Sequence, residues 1–197
     1  MNKTYLDLLF HILRIKSVST QDEYLSEMEK ARHFLVDTFE SLGFKTRILK
    51  AKKHNAVFAS LVSDSSYPTI LIYGHYDVQP PEPLNEWKTQ PFEPAIKNGN
   101  IYGRGTNDNK GQFMIHLIAV KKLLETSKEK LPVNFKFIIE GEEEIGSISV
   151  ESLAKKYSKN LFACDYIVVS DSEMVKRDKP SIDISLRGLV YTEIFLE

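Results

Sequence analysis

The sequence contains a single cysteine, Cys164, in 197 residues. No internal disulfide can form, and a reducing, cytoplasmic setting is the expectation. Cys164 precedes the apolar stretch Tyr166–Val169 and reads as a buried small hydrophobe. Long apolar runs are also missing, and none approaches the roughly 18 residues of a membrane-spanning helix. The N-terminus does not read as a secretory signal, because Asp7, His11 and Arg14 interrupt its apolar residues. Excess charge of either sign is absent: 26 Lys and Arg stand against 27 Asp and Glu, for a net charge of −1. The one run of three like charges is Glu142-Glu143-Glu144, so neither a nucleic acid nor a membrane surface is expected as a partner. Internal repeats and low-complexity tracts are lacking.

What remains is an ordinary globular composition, 42% apolar and 27% charged. A chain of this length fits one domain, or one domain and part of another, and a domain of this size buries roughly 70% of its unfolded surface.

Tyr5, Leu8, Leu9 and Ile12 recur at helical spacing. A second helix follows, capped within Thr20–Asp22, with Leu25, Met28, Ala31, Leu35, Phe39 and Leu42 as its apolar stripe and Gly43 at its C′ position. Lys45–Leu49, Ala56–Leu61 and Thr69–Tyr73 read as strands. Five of the eight prolines and the sole tryptophan, Trp87, fall between Pro80 and Pro94 and mark an irregular loop. Asn98-Gly99 turns a hairpin within Ile96–Tyr102. A helix carrying Met114, Leu117, Val120 and Leu124 leads to a strand at Val133–Ile139. A helix near Val150–Tyr157 and a strand at Tyr166–Val169 follow, and Ser181–Leu186 and Leu189–Leu196 read as two more strands. This alternation predicts an α/β fold, a three-layer αβα sandwich around a mixed, mostly parallel sheet.

Four acidic or histidine-bearing segments lie at or just beyond the end of a predicted strand or hairpin: His75/Asp77, Asp108, Glu143/Glu144 and Asp171. In a parallel sheet such ends converge on one edge, where ligands bind. Each segment alone also fits a solvated turn or a helix cap. Together they crowd carboxylates that repel one another, and divalent cations relieve that repulsion. Imidazole with carboxylate oxygens suits zinc first, with manganese and cobalt also compatible. An aspartate two residues from a histidine can accept its ring proton and aim the other nitrogen at a metal.

The motifs Gly74-His75-Tyr76-Asp77-Val78-Gln79-Pro80, GRGTNDNKGQ from Gly103, EGEEEIGS from Glu140 and SDSE from Ser170 resemble, in order and spacing, those of the co-catalytic di-zinc peptidase family of aminoacylase, carboxypeptidase G and carnosine dipeptidase. The dipeptidase branch is the most similar, and the likeness runs from about Ser41 onward. The resemblance implies two divalent metal ions. His75 and Asp171 bind the first, Asp108 bridges both through a segment whose peptide to Asn109 is cis, and Glu144 binds the second. Asp77 orients His75, and Glu143 is the general base acting on a metal-bridged water. The substrate class implied is a dipeptide or other small peptide, with an N-acyl amino acid as the alternative.

The family pattern further implies that residues 1–181 are the N-terminal part of a catalytic domain. Residues 182–197 would cross into a lid and dimerisation domain that this chain lacks, together with a late histidine for the second metal. The sequence stops inside a predicted strand, so a truncated chain with an incomplete second site is expected, inactive or weakly active. A non-catalytic metal-binding remnant is the competing reading. The full-length protein is expected to be a homodimer.

Overall fold

Side chains alternate between the two faces of a strand, and near-continuous burial along the central strands means that both faces of a single sheet are covered. The computed structural model describes residues 3–127, 131–176, 178–183, 185, 188, 190 and 192–196. Among them, β1 (Lys45–Leu49), β2 (Ala56–Leu61), β3 (Thr69–His75), β6 (Asn134–Glu140) and β7 (Tyr166–Val169) form a five-stranded sheet in the order β1-β2-β6-β3-β7. β2 runs antiparallel to β1 and β6, whereas β3 is parallel to β6 and β7. Four strands therefore point one way and β2 opposes them, the mixed sheet that the sequence predicts. β4 (Ala95–Lys97) and β5 (Asn100–Tyr102) form a separate hairpin. Its turn residues Asn98 and Gly99 both have positive φ, as a type I′ turn requires.

On one face, α1 (Lys3–Arg14), α2 (Leu25–Ser41) and α3 (Lys110–Thr126) bury Leu13, Leu35, Phe39, Phe113 and Leu117 against Val57, Ile72, Phe137 and Ile139. On the other, α4 (Val150–Tyr157) and the turn after it set Leu153, Tyr157 and Phe162 against Phe58, Leu71 and Ile138. Three layers result. Cys164 packs on this second cluster but is half-buried, less enclosed than expected.

Three expectations change. Thr20–Asp22 do not cap α2; a 3-10 turn at Asp22–Tyr24 leads directly into it, and Asp22 faces Lys53 Nζ at 3.6 Å instead. β3 continues through Gly74 to His75, which pairs with Glu140 on the last rung. A side chain at Gly74 is what the packing forbids: a Cβ there would lie 2.6 Å from Phe113 Cβ and 2.8 Å from Asn109 Oδ1. The two strands expected within residues 181–196 do not form among the described residues, and positions 184, 186, 187, 189 and 191 of that stretch lie outside them. Apolar alternation alone does not make a strand, which needs a partner ladder. Ile182, Val190, Ile194 and Phe195 are exposed.

Candidate metal centre

β3, β6 and β7 are parallel, so their carboxyl ends share one edge of the sheet. His75 closes β3 there and is fully buried. Glu143 and Glu144 follow β6 in a 3-10 turn, and Asp171 follows β7 by two residues. Asp108 comes from the loop before α3, whose first turn packs against Gly74. That loop is tight, and a Cβ at Gly111 would collide with the Thr106 carbonyl. The Asp108–Asn109 peptide is cis.

These placements bring all six sequence-predicted residues together. His75 Nε2 lies 3.0 Å from Asp108 Oδ1, 3.7 Å from Asp171 Oδ2 and 4.0 Å from Glu143 Oε2. Its Nδ1 lies 3.0 Å from the Asp77 carbonyl and 3.3 Å from Asp77 Oδ1. Asp77 thus occupies one ring nitrogen and leaves the other facing the acids. The Asp77 carboxylate also accepts the backbone N–H groups of Glu143 and Glu144, at 3.3 and 3.0 Å. Glu142 turns away and is buried, with Oε1 accepting the His54 N–H at 2.9 Å. Of the three consecutive glutamates, Glu143 and Glu144 are the pair that faces the histidine.

Charge in this cleft is strongly coupled. Burial works to lower the His75 pKa, yet hydrogen bonds with Asp108, Asp171 and Asp77 outweigh it and push it up to about 12. Hydrogen bonding to His75 holds the Asp108 pKa down. Burial, reinforced by Glu144, Asp171 and Asp77, raises Glu143 to about 7. Burial also raises Glu144, against the pull of its hydrogen bond from Gln79. The acids therefore stabilise positive charge at their centre.

Two donor groups could each hold a cation, with ligand atoms inside each group within 4.8 Å of one another: His75/Asp108/Asp171 and His75/Glu143/Glu144. Ligands about 2.0–2.2 Å from a zinc ion in tetrahedral array stand roughly 3.3–3.6 Å apart. The spacings from His75 Nε2 to Asp108 and Asp171 bracket that range, so the first donor set fits a zinc ion.

Several residues that sequence reasoning passed over complete the site. Asn109 is fully buried; its Oδ1 accepts the His75 N–H at 3.2 Å and its Nδ2 donates to Asp171 Oδ1 at 3.1 Å. Gln79 Nε2 donates to Glu144 Oε2 at 2.7 Å. Lys110 is fully buried and donates to the carbonyls of Ile12 and Ile15 at the end of α1. Arg104 stacks over the Trp87 ring and donates to the Pro80 carbonyl at 2.9 Å, and Trp87 Nε1 donates to Pro81. An open cavity of about 480 Å³ borders this loop, lined in part by Trp87, Tyr102, Gly103 and Thr106. Asn109, Gln79 and Lys110 act on backbone or on residues distant in sequence, which leaves no local signal.

A model of peptidase family M20/M25/M40 matches residues 71–185, the stretch that contains His75 and the five acids of the site. The chain belongs to this peptidase family. Beta-Ala-His dipeptidase of Rattus norvegicus is 40% identical over 136 residues, covering 68% of this chain and 27% of the relative. Cys-Gly metallodipeptidase DUG1 of Candida albicans is 32% identical over 209 residues, covering 98% of this chain and 43% of the relative. The crystal structure of human carnosine dipeptidase 1 superposes with a TM-score of 0.80 at 33% identity, over 86% of this chain and 38% of that one. This M20-family chain thus spans less than half the length of the relatives it matches, and its α/β fold is that of their corresponding part. None of its described helices is long and apolar enough to cross a membrane.

Proposed function

We propose that residues 1–181 are the N-terminal part of a metal-dependent hydrolase that cleaves the amide bond of dipeptides or similarly small peptides. The observation that carries this reading is the His75 ring, tied through Nδ1 to Asp77 and presenting Nε2 to Asp108 and Asp171. His75, Asp108 and Asp171 would hold one zinc ion, with manganese or cobalt as alternatives. Asp108 and Glu144 would hold a second. Bound there, the metal supplies Lewis acidity, polarising a carbonyl and making water acidic near neutral pH.

The rest falls to the protein's own groups. Glu143 takes the proton from the attacking water and passes it to the leaving amine, a task suited to a carboxylate whose pKa is raised to about 7. Asp77 keeps the His75 proton on Nδ1 and, through two backbone N–H groups, fixes the turn that carries Glu143 and Glu144.

The names of the matched relatives favour a dipeptide over an N-acyl amino acid as substrate. With Glu143 assigned to the water, the second ion has only Asp108 and Glu144 as carboxylate donors among the described residues, which favours a weaker second site and supports the competing reading of metal binding without turnover. A cytoplasmic location rests on the lone cysteine, and a homodimer of a longer protein on the family resemblance.

Hydrolysis of a dipeptide panel, with and without added Zn²⁺ or Mn²⁺, tests the proposal. Metal-dependent release of free amino acids supports it. Stoichiometric metal binding without any hydrolysis supports the binding-only reading, and no metal binding overturns both.

A further inference from the structure

Asp171 stands on the least supported part of the sheet. Among the described residues β7 is an edge strand, with Tyr166, Ile167 and Val169 exposed, and its ladder with β3 ends at the Tyr73–Val169 rung. His75, by contrast, ends a strand flanked on both sides. A carboxylate two residues past the last rung of an edge strand needs support from outside the sheet.

One face of α3 reaches that segment. Positions 109, 112 and 116 are three and four residues apart and share a helical stripe. Asn109 Nδ2 donates to the Ser170 carbonyl at 2.8 Å and to Asp171 Oδ1 at 3.1 Å. Gln112 Nε2 donates to the Ser172 carbonyl at 2.9 Å. His116 Nε2 shares a 2.6 Å hydrogen bond with Ser170 Oγ. Gln112 and His116 therefore grip the residues on either side of Asp171, and Gln112 also accepts from Asn109 at 2.9 Å.

We propose that Gln112 and His116 are positioning residues, which hold the Ser170–Ser172 turn from one face of α3 so that Asp171 meets His75 at the metal centre. The inference rests on the metal-centre reading above. It assigns a function to a mid-helix histidine and to a glutamine, neither of which has a sequence signature of its own.

The test uses the full chain and two readouts that need no turnover: Zn²⁺ affinity by competition with a chromophoric chelator, and the visible spectrum of the Co²⁺-loaded protein. Gln112→Ala and His116→Ala are each expected to weaken Zn²⁺ binding by roughly 10- to 100-fold and to shift the cobalt bands, the range seen when groups that orient metal ligands are removed. Ser170→Ala should match His116→Ala. Their double variant should bind no more weakly than either single one, because both delete the same hydrogen bond. His116→Gln, whose side-chain amide can replace the imidazole as hydrogen-bond partner of Ser170, should recover part of the loss. Should His116→Ala fail to fold, Ser170→Ala removes the contact with a smaller change of volume and carries the same expectation. Affinity and cobalt spectrum unchanged in folded Gln112→Ala and Ser170→Ala, with or without a lower melting temperature, overturn the inference while leaving the metal centre intact. Absence of Zn²⁺ binding by the wild type overturns both.

Discussion

The Asp77 carboxylate accepts the backbone N–H of Glu144 at 3.0 Å. Its other oxygen lies 3.3 Å from His75 Nδ1, so one buried side chain joins the end of β3 to the turn after β6. A group with two such duties cannot be altered for one alone.

Asp77→Asn exchanges an oxygen for an amide that donates, and sets that donor against either the imidazole N–H or a backbone N–H. Zinc affinity is expected to fall by roughly 10- to 100-fold. Stability should fall by about 1–3 kcal/mol, as for a buried hydrogen bond left without its partner. Zn²⁺ titration and urea unfolding measure the two losses separately, and a change in only one of them contradicts the dual role.

Glu143 lies 4.0 Å from His75 Nε2 but is assigned to the water rather than to the ion. Glu143→Gln keeps its size and removes its basicity. Where metal-dependent hydrolysis is present, this substitution should lower kcat by roughly 10²- to 10⁴-fold. Zn²⁺ affinity should stay close to that of the wild type, measured by the same chelator competition. A parallel collapse of affinity would make Glu143 a ligand instead.

Lys110 gives a pH-dependent prediction. Burial lowers its pKa from the ordinary 10.5 to about 7 in the folded protein. Between those values the unfolded chain binds more protons than the folded one, so this lysine's contribution to stability grows as pH rises through the window and is lost as pH falls toward 7. Lys110→Met removes that dependence together with two hydrogen bonds, to the Ile12 and Ile15 carbonyls, each of which keeps a backbone N–H donor, from Ile15 and Ser17. The stability difference between wild type and variant, from urea unfolding at pH 7 and pH 9.5, should therefore be larger at the higher pH. A difference that shrinks with pH contradicts the assignment.

Gly74→Ala is expected to destabilise by about 1–3 kcal/mol, the range for forcing extra volume into a packed interior. The added methyl group meets Phe113 and the Asn109 side chain, which receives the His75 N–H. The effect should therefore reach zinc affinity as well as the unfolding midpoint. An unchanged midpoint would mean that α3 can move away freely.

The metal centre is legible in the sequence because its members follow strong punctuation. His75 and Asp77 end an apolar run, Asp108 lies among glycines, and Glu143, Glu144 and Asp171 come directly after strands. Glu142 shows the limit of that reading. It belongs to the same acidic run, yet its direction depends on the His54 backbone 88 residues away. His116 and Ser170 are 54 residues apart, and no spacing rule links a mid-helix histidine to a serine beyond a strand. The start of α2 was missed for a related reason, and the described residues within 181–196 form no ladder despite their apolar periodicity. Caps and ladders depend on partners, and apolar periodicity records only which side of an element faces the core.

Trp87 is the only tryptophan in the chain, and it lies beneath the Arg104 guanidinium in the loop that leads to Asp108. Its indole emission is thus a label-free optical gauge of that loop. Quenching or a spectral shift on titration would follow rearrangement at a single known position, without any dye or engineered probe.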